Sequence, residues 1–353
     1  NENDVEKNHY LHHYNAVKWD VDDNGRAVQY PFATAPMNKQ SKKFILQTEC
    51  DDNPDEIFID TKTKGSNMKW LVYRITFNDH TQSPYDKQSN VLSDDDFKSA
   101  FLKVKTNLDG NSNGNYDLSA NNNVVTADIR ITGTTWADWI INQPWSDVLA
   151  EARTKFNQNF CNFDAEFVLT AYYEDVPYTG LAYVGARAAT LNGNADLKTM
   201  IHEFGHMLGL RHAQFWKLDN GATSQYDDGT IEEYGDPYGA MGHANQWWEN
   251  IFSGPEKERI GWLDISKHIN YIGHTDEDFV LYPADGGFTD QLTVLKYKQR
   301  VTSTAVINKI DSVYDTHYFE YYSNHTVSYA KNGLVHRVWQ PAHDVYVVVD
   351  SGF

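Results

Sequence analysis

The chain holds 353 residues, room for one large domain or two modest ones, and its 41% hydrophobic and 14% aromatic content argues against a disordered chain. Its 30 Lys+Arg against 49 Asp+Glu leave a net charge of −19, which phosphate backbones and anionic lipid surfaces would repel. Nucleic-acid and membrane-surface roles are therefore disfavoured, and no apolar run approaches the roughly 18 residues of a membrane span. Asn1 opens a polar stretch, where the expectation is that any export signal has been removed or never existed.

Residues 1–65 are polar, carry Pro31, Pro36 and Pro54, and hold one short strand candidate at 43–47. They read as an N-terminal extension wrapped on the body, or as the remnant of a pro-segment. From there the signals strengthen. The β-branched and aromatic run 70–77 predicts a strand, and Ser93 followed by Asp94, Asp95 and Asp96 caps a helix with Phe97, Phe101, Leu102 and Val104 at helical spacing. A strand at 124–131, a helix at 146–156, strands at 166–173 and 181–190, and a helix from about 195 to 210 follow. This order predicts an α+β domain over 66–265, a twisted sheet with helices packed on it. Beyond it, short strands at 279–282, 291–297, 305–310, 318–322, 334–339 and 345–349 alternate with Gly, Asn, Asp and Pro, which predicts an all-β, sandwich-like module over 266–353.

The helix near 195–210 carries His202, Glu203, His206, Gly209 and His212. His202 and His206 are four apart, so both imidazoles project from one helical face and can reach a single ion. Glu203 lies too far round the helix to share that ion, but it can reach an ion-bound water. Gly209 permits a positive-φ turn that ends the helix and brings His212 back as a third nitrogen ligand. Three neutral imidazoles leave a fourth position for water, the pattern of a catalytic zinc site.

With Met241 some tens of residues downstream, His202-Glu203-x-x-His206-x-x-Gly209-x-x-His212 resembles the extended zinc signature of the metzincin metallopeptidases. Tyr234-Gly235-Asp236 before Met241-Gly242, Leu191-Asn192-Gly193 before the helix, and the run 256–263 look like the gametolysin-type members and their bacterial relatives. The resemblance covers about 68–340 and is strongest at 185–265. It implies a metzincin-like zinc cleft, Zn2+ held by His202, His206 and His212, Glu203 as general base, and Met241 as an apolar floor beneath the ligands. It also implies an edge strand at 183–189 above the helix, where Gly185 and Ala186 admit a substrate backbone; Arg187 reads either as a solvated edge charge or as a group that greets an acidic side chain. Where astacin-like and serralysin-like metzincins place a tyrosine two residues after the turn methionine, this chain has His243, read either as a group that stabilises the tetrahedral intermediate or as a surface histidine.

Weaker signals remain. Oxygen side chains alternate from Asp109 to Asp117 with a glycine at the sixth position, which resembles the start of a Ca2+ loop, but the twelfth position is Ala120 rather than a glutamate. Asp219, Asp227, Asp228, Glu232, Glu233 and Asp236 read as a solvated acidic loop, with a Ca2+ site as the second reading. Cys50 and Cys161 read as a disulfide, as free thiols, or with Cys50 capping the metal of a latent form. The expectation is a secreted, monomeric zinc endopeptidase acting on extracellular proteins or glycoproteins. Its rivals are a zinc-binding, adhesin-like pseudo-enzyme and a latent precursor with residues 1–65 in the cleft.

Overall fold

The computed structural model describes residues 19–21, 27–29, 69–112, 124–218, 229–242, 251–263, 269–271, 280–284, 292–300, 314–321, 334–340 and 345–349. A short antiparallel pair, β1 (Trp19–Val21) and β2 (Ala27–Gln29), is what it describes of the N-terminal region. The strand candidate at 43–47 and the sandwich strand at 305–310 lie outside the described residues.

Strand β3 (Trp70–Phe77) sets the first sheet, because both of its faces are apolar. Trp70 and Val72 enter one core, with Phe167 and Leu169, while Leu71, Tyr73, Ile75 and Phe77 enter the other. A strand buried on both sides belongs inside a parallel sheet covered by helices. β3 pairs in parallel with β4 (Val124–Ile131) and β5 (Ala165–Thr170). β7 (Ala188–Asn192) adds in parallel to β5, and the short β6 (Gly180–Ala182) closes the edge antiparallel. The result is a mixed five-stranded sheet in the order β4-β3-β5-β7-β6.

Helix α1 (Asp94–Asn111) packs its Phe97, Phe101, Val104 and Leu108 into the first core, which also receives the histidine helix. α2 (Trp136–Asn142) and α3 (Trp145–Lys155) cover the opposite face through Trp139, Trp145, Val148, Leu149 and Ala152. This mixed sheet with its helices agrees with the α+β expectation. The single strand expected over 181–190 is instead two strands, parted at Gly185, whose φ of 80° reverses the chain. α2 was not legible in the sequence. Its N-cap is Thr135, whose hydroxyl accepts from the Asp138 N–H at 3.0 Å.

The histidine helix, α4 (Leu197–Met207), has every residue from Thr199 onward buried except His202, which is partly buried and lines the site. Asp196 caps it, its carboxylate accepting from the Thr199 N–H at 2.7 Å. At the other end, Leu210 N–H donates to Gly205 O and Gly209 N–H to His206 O, both at 2.9 Å, with Gly209 at φ 91°. That pairing is a Schellman turn, which glycine adopts without a Cβ penalty. Phe204 locks the helix to the sheet. Its ring lies 5.0 Å from that of Trp70, which also meets Phe101 at 4.7 Å and Phe167 at 4.9 Å. Such ring pairs contribute about 0.5–1.5 kcal/mol each beyond the area they bury.

A second, seven-stranded sheet has the order β10-β11-β12-β13-β14-β8-β9. β10 (Ile269–Tyr271), β11 (Val294–Arg300), β12 (Tyr314–Tyr321), β13 (Leu334–Gln340) and β14 (Val345–Val349) come from the C-terminal part. β8 (Gln214–Leu218) and β9 (Gly229–Glu232) come from the segment just after His212, and β14 pairs with β8 in parallel. The sheet therefore crosses the boundary expected at 265/266. α5 (Gly254–Arg259) lies between the two regions. Among the described residues no helix is long and apolar enough to cross a membrane.

Candidate metal centre

One nitrogen each from His202, His206 and His212 converges, all within 4.8 Å of one another, a grouping that could hold a metal ion. Helix periodicity places the first two, and the Schellman turn at Gly209 returns the third. The outer nitrogens are all engaged. His202 Nδ1 meets Ala240 O at 2.8 Å, His206 Nδ1 meets Leu210 O at 2.9 Å, and His212 Nδ1 meets the Glu233 carboxylate at 2.7 Å. A carbonyl only accepts, so the proton of neutral His202 and His206 sits on Nδ1 and their Nε2 lone pairs face inward. His206 Nε2 and His212 Nε2 stand 3.0 Å apart. Two lone pairs that close repel unless a cation lies between them, so the donor set fits a metal. Ligand histidines oriented by carbonyls and a carboxylate are the usual outer arrangement of such sites.

The wall opposite α4 is the loop 233–242. The Tyr234 ring lies 3.8 Å from that of His212 and 5.8 Å from that of His202, on a residue held at φ 59°. Met241 is buried beneath the helix: a Cβ on Gly205 would come within 2.2 Å of its sulfur. Its carbonyl accepts from the Ala213 N–H at 2.8 Å, tying the loop to the chain just after His212. Asp236 anchors the same loop, taking Arg337 of β13 at 2.9 and 3.0 Å. Arg337 also pairs with Glu320 of β12, and all three side chains are fully buried.

Glu203 faces β6. It is buried, and its carboxyl is pushed up to about 8 by desolvation, against a lowering hydrogen bond from the Ala182 N–H. Gly180 makes room for it: a Cβ there would lie 2.7 Å from both Glu203 Cγ and Oε1. A cavity of about 500 Å³ opens over these groups, and its walls include the three histidines, Glu203, Tyr178 and Tyr234.

The residues expected at the site are thus partly assembled. His202, His206, His212 and Glu203 share the cavity, Gly209 makes the expected turn, and Met241 lies under the helix. The edge-strand expectation for 183–189 is corrected: Gly185, Ala186 and Arg187 lie in the connection between β6 and β7 and none lines the cavity. Gly185 N–H is committed to His206 O at 2.8 Å, and the Arg187 guanidinium to Phe163 O. The edge strand beside Glu203 is β6. His243 lies outside the described residues, as do Asp219, Asp227 and Asp228. Of the remaining acidic residues, Glu232 is exposed and pairs with Lys217, as in the solvated reading, whereas Glu233 meets His212 and Asp236 is buried against Arg337. Of the calcium-loop candidate, Asp109, Gly110 and Asn111 end α1, and 113–117 lie outside the described residues. Cys161 is disulfide-bonded, and Cys50 is the chain's one other cysteine.

Glu233, Tyr234 and the Ala240 carbonyl were missed as supports of the ligands. Their proximity to the metal signature in sequence is no signal by itself; the turn that folds them back is. No protein-family model, curated protein or solved structure matches the chain, so the chemistry of the site alone carries the functional argument.

Proposed function

We propose that this chain is a secreted, zinc-dependent endopeptidase of the metzincin type, similar to the gametolysin-like members, acting on extracellular proteins or glycoproteins. The observation that carries the reading is the convergence of three imidazoles beside a buried glutamate in one open cavity. In this reading 66–265 form the catalytic domain and the strands beyond it brace the loop 233–242. The disulfide at Cys161 supports an oxidising, extracellular setting.

His202, His206 and His212 would hold zinc, an ion that neutral imidazole nitrogens bind well. When bound, zinc would supply Lewis acidity that makes water more acidic and the scissile carbonyl more electrophilic. Glu203 accepts the proton of the attacking water as the new C–O bond forms. As the C–N bond breaks, Glu203 returns that proton to the leaving amine. Glu203 Oε2 is buried and, among the described residues, has no hydrogen-bond partner, which leaves that oxygen open to the proton. β6 offers an edge on which an extended peptide can pair.

The test is casein hydrolysis with and without a zinc chelator, wild type beside Glu203→Ala. Chelator-sensitive cleavage that falls about 10²–10⁴-fold in the variant is expected. Cleavage that survives either treatment would defeat the reading.

A further inference from the structure

Among the described residues, two side-chain polar atoms of the cavity wall are buried and lack a hydrogen-bond partner: Glu203 Oε2 and the Tyr178 hydroxyl. Buried polar groups in native proteins are nearly always paired, so each orphan needs an explanation. Glu203 has one in the mechanism above. Tyr178 has none there.

Tyr178 is firmly placed. It sits in the connection between β5 and β6, two residues before the Gly180 that packs against Glu203. Asn192 of β7 clamps this connection from beneath. Its Nδ2 donates to Tyr178 O at 3.1 Å and Tyr173 O at 3.0 Å, and its Oδ1 accepts from the Tyr173 N–H at 2.9 Å. The Asn192 N–H adds a bond to Thr179 O at 2.8 Å. Four hydrogen bonds thus fix the backbone around a hydroxyl that itself bonds to nothing. A group fixed in place with its donor unspent is what a preorganised site holds ready for a charge that develops during reaction.

We propose that Tyr178 is a second catalytic residue, its hydroxyl donating a hydrogen bond to the scissile carbonyl oxygen as that oxygen becomes negative. This rests on the endopeptidase reading. The hydroxyl keeps its proton, since burial first, and then the neighbouring Tyr183 and Glu203, hold its pKa well above the ordinary tyrosine value. It therefore acts as a neutral donor. A purely structural role predicts the opposite of a functional one here, because phenylalanine would fill the same space without stranding a hydroxyl.

Tyr178→Phe is the test, with Tyr183→Phe as the control. The Tyr178 variant is expected to keep or raise Tm, to lose about 10²-fold in kcat, and to hold KM within about two-fold. Its affinity for a phosphinic peptide, whose tetrahedral anionic oxygen imitates the intermediate, falls with kcat. Tyr183→Phe leaves kcat unchanged. A folded Tyr178→Phe enzyme with wild-type kcat and phosphinate affinity overturns the proposal, as does an activity loss matched by a fall in Tm. Wild-type protein without chelator-sensitive cleavage overturns the endopeptidase reading beneath it, and this inference with it.

Discussion

At the scale of single residues, the three converging imidazoles are oriented by groups outside the triad. Glu233 is the sharpest case, its carboxylate 2.7 Å from His212 Nδ1. Glu233→Gln keeps the shape and removes the charge that strengthens His212 as a donor. Metal affinity is expected to fall about 10–100-fold, measured by competition with a colorimetric chelator, while Tm of the metal-free chain stays level. The ligands themselves were legible in the sequence because their geometry is local: one helical turn separates His202 from His206, and one glycine turn returns His212. Glu233 and Tyr178 were not, since each reaches the site through a loop whose path no periodicity encodes. The same holds for Gly185, which reads as a strand residue by its neighbours and is a turn by its φ of 80°.

At the scale of elements, the central sheet contains a charge pair under its apolar surface. Glu166 of β5 is fully buried and takes Arg153 of α3, with Nε–Oε1 at 3.0 Å, and the Tyr73 hydroxyl of β3 at 2.8 Å. One helix and two strands are thereby fixed in register on the face away from the three histidines. Arg153→Met leaves the carboxylate buried and uncompensated, so unfolding in urea should show a loss of about 3–5 kcal/mol. Arg153→Met with Glu166→Leu should recover much of that loss, since replacing both partners removes the stranded charge. β3 and β4 match their expected spans, β3 because a parallel strand buried on both faces is dense in apolar residues, and β4, at the edge of the sheet, because its apolar and polar residues alternate toward its C-terminal end. α2 escaped because its seven residues are too few to establish a helical period.

At the scale of the whole molecule, the seven-stranded sheet meets the loop 233–242 and α5 at a buried cluster of Arg337 and several carboxylates. Arg337 takes Asp236 and Glu320, Glu320 accepts from the Gly254 N–H at 2.6 Å, and buried Glu256 closes α5 by accepting from Ser253 N–H at 2.7 Å. Burial, and then the Asp236 charge, push Glu256 up to about 7 from 4.5, against opposing bonds from Ser253 and the charge of Arg337. The folded state thus binds the Glu256 proton more tightly than the unfolded chain does. Its contribution is complete below pH 4.5 and disappears as pH rises through about 7. Glu256→Gln should flatten the fall in Tm across that window, read by thermal melts at successive pH values. A parallel fall in variant and wild type would remove Glu256 as the cause. This junction was not legible beforehand: the strand pattern after 265 read as a self-contained module, because pairing between distant strands leaves no mark on either one's own periodicity.

The parallel seam between β14 and β8 also imposes an order in time. β8 begins two residues after His212, and the loop that follows β9, carrying Glu233, Tyr234 and Ala240, is pinned at Asp236 by an arginine 101 residues further along. A ribosome delivers the signature helix long before it delivers those strands. The nascent chain therefore carries its histidines and glutamate without the wall that aims them, and competence arrives only with the last strands of the sheet. For a reading in which the product cuts proteins, that delay protects the cell that makes it: the blade is set into its handle only after β13 and β14 have emerged.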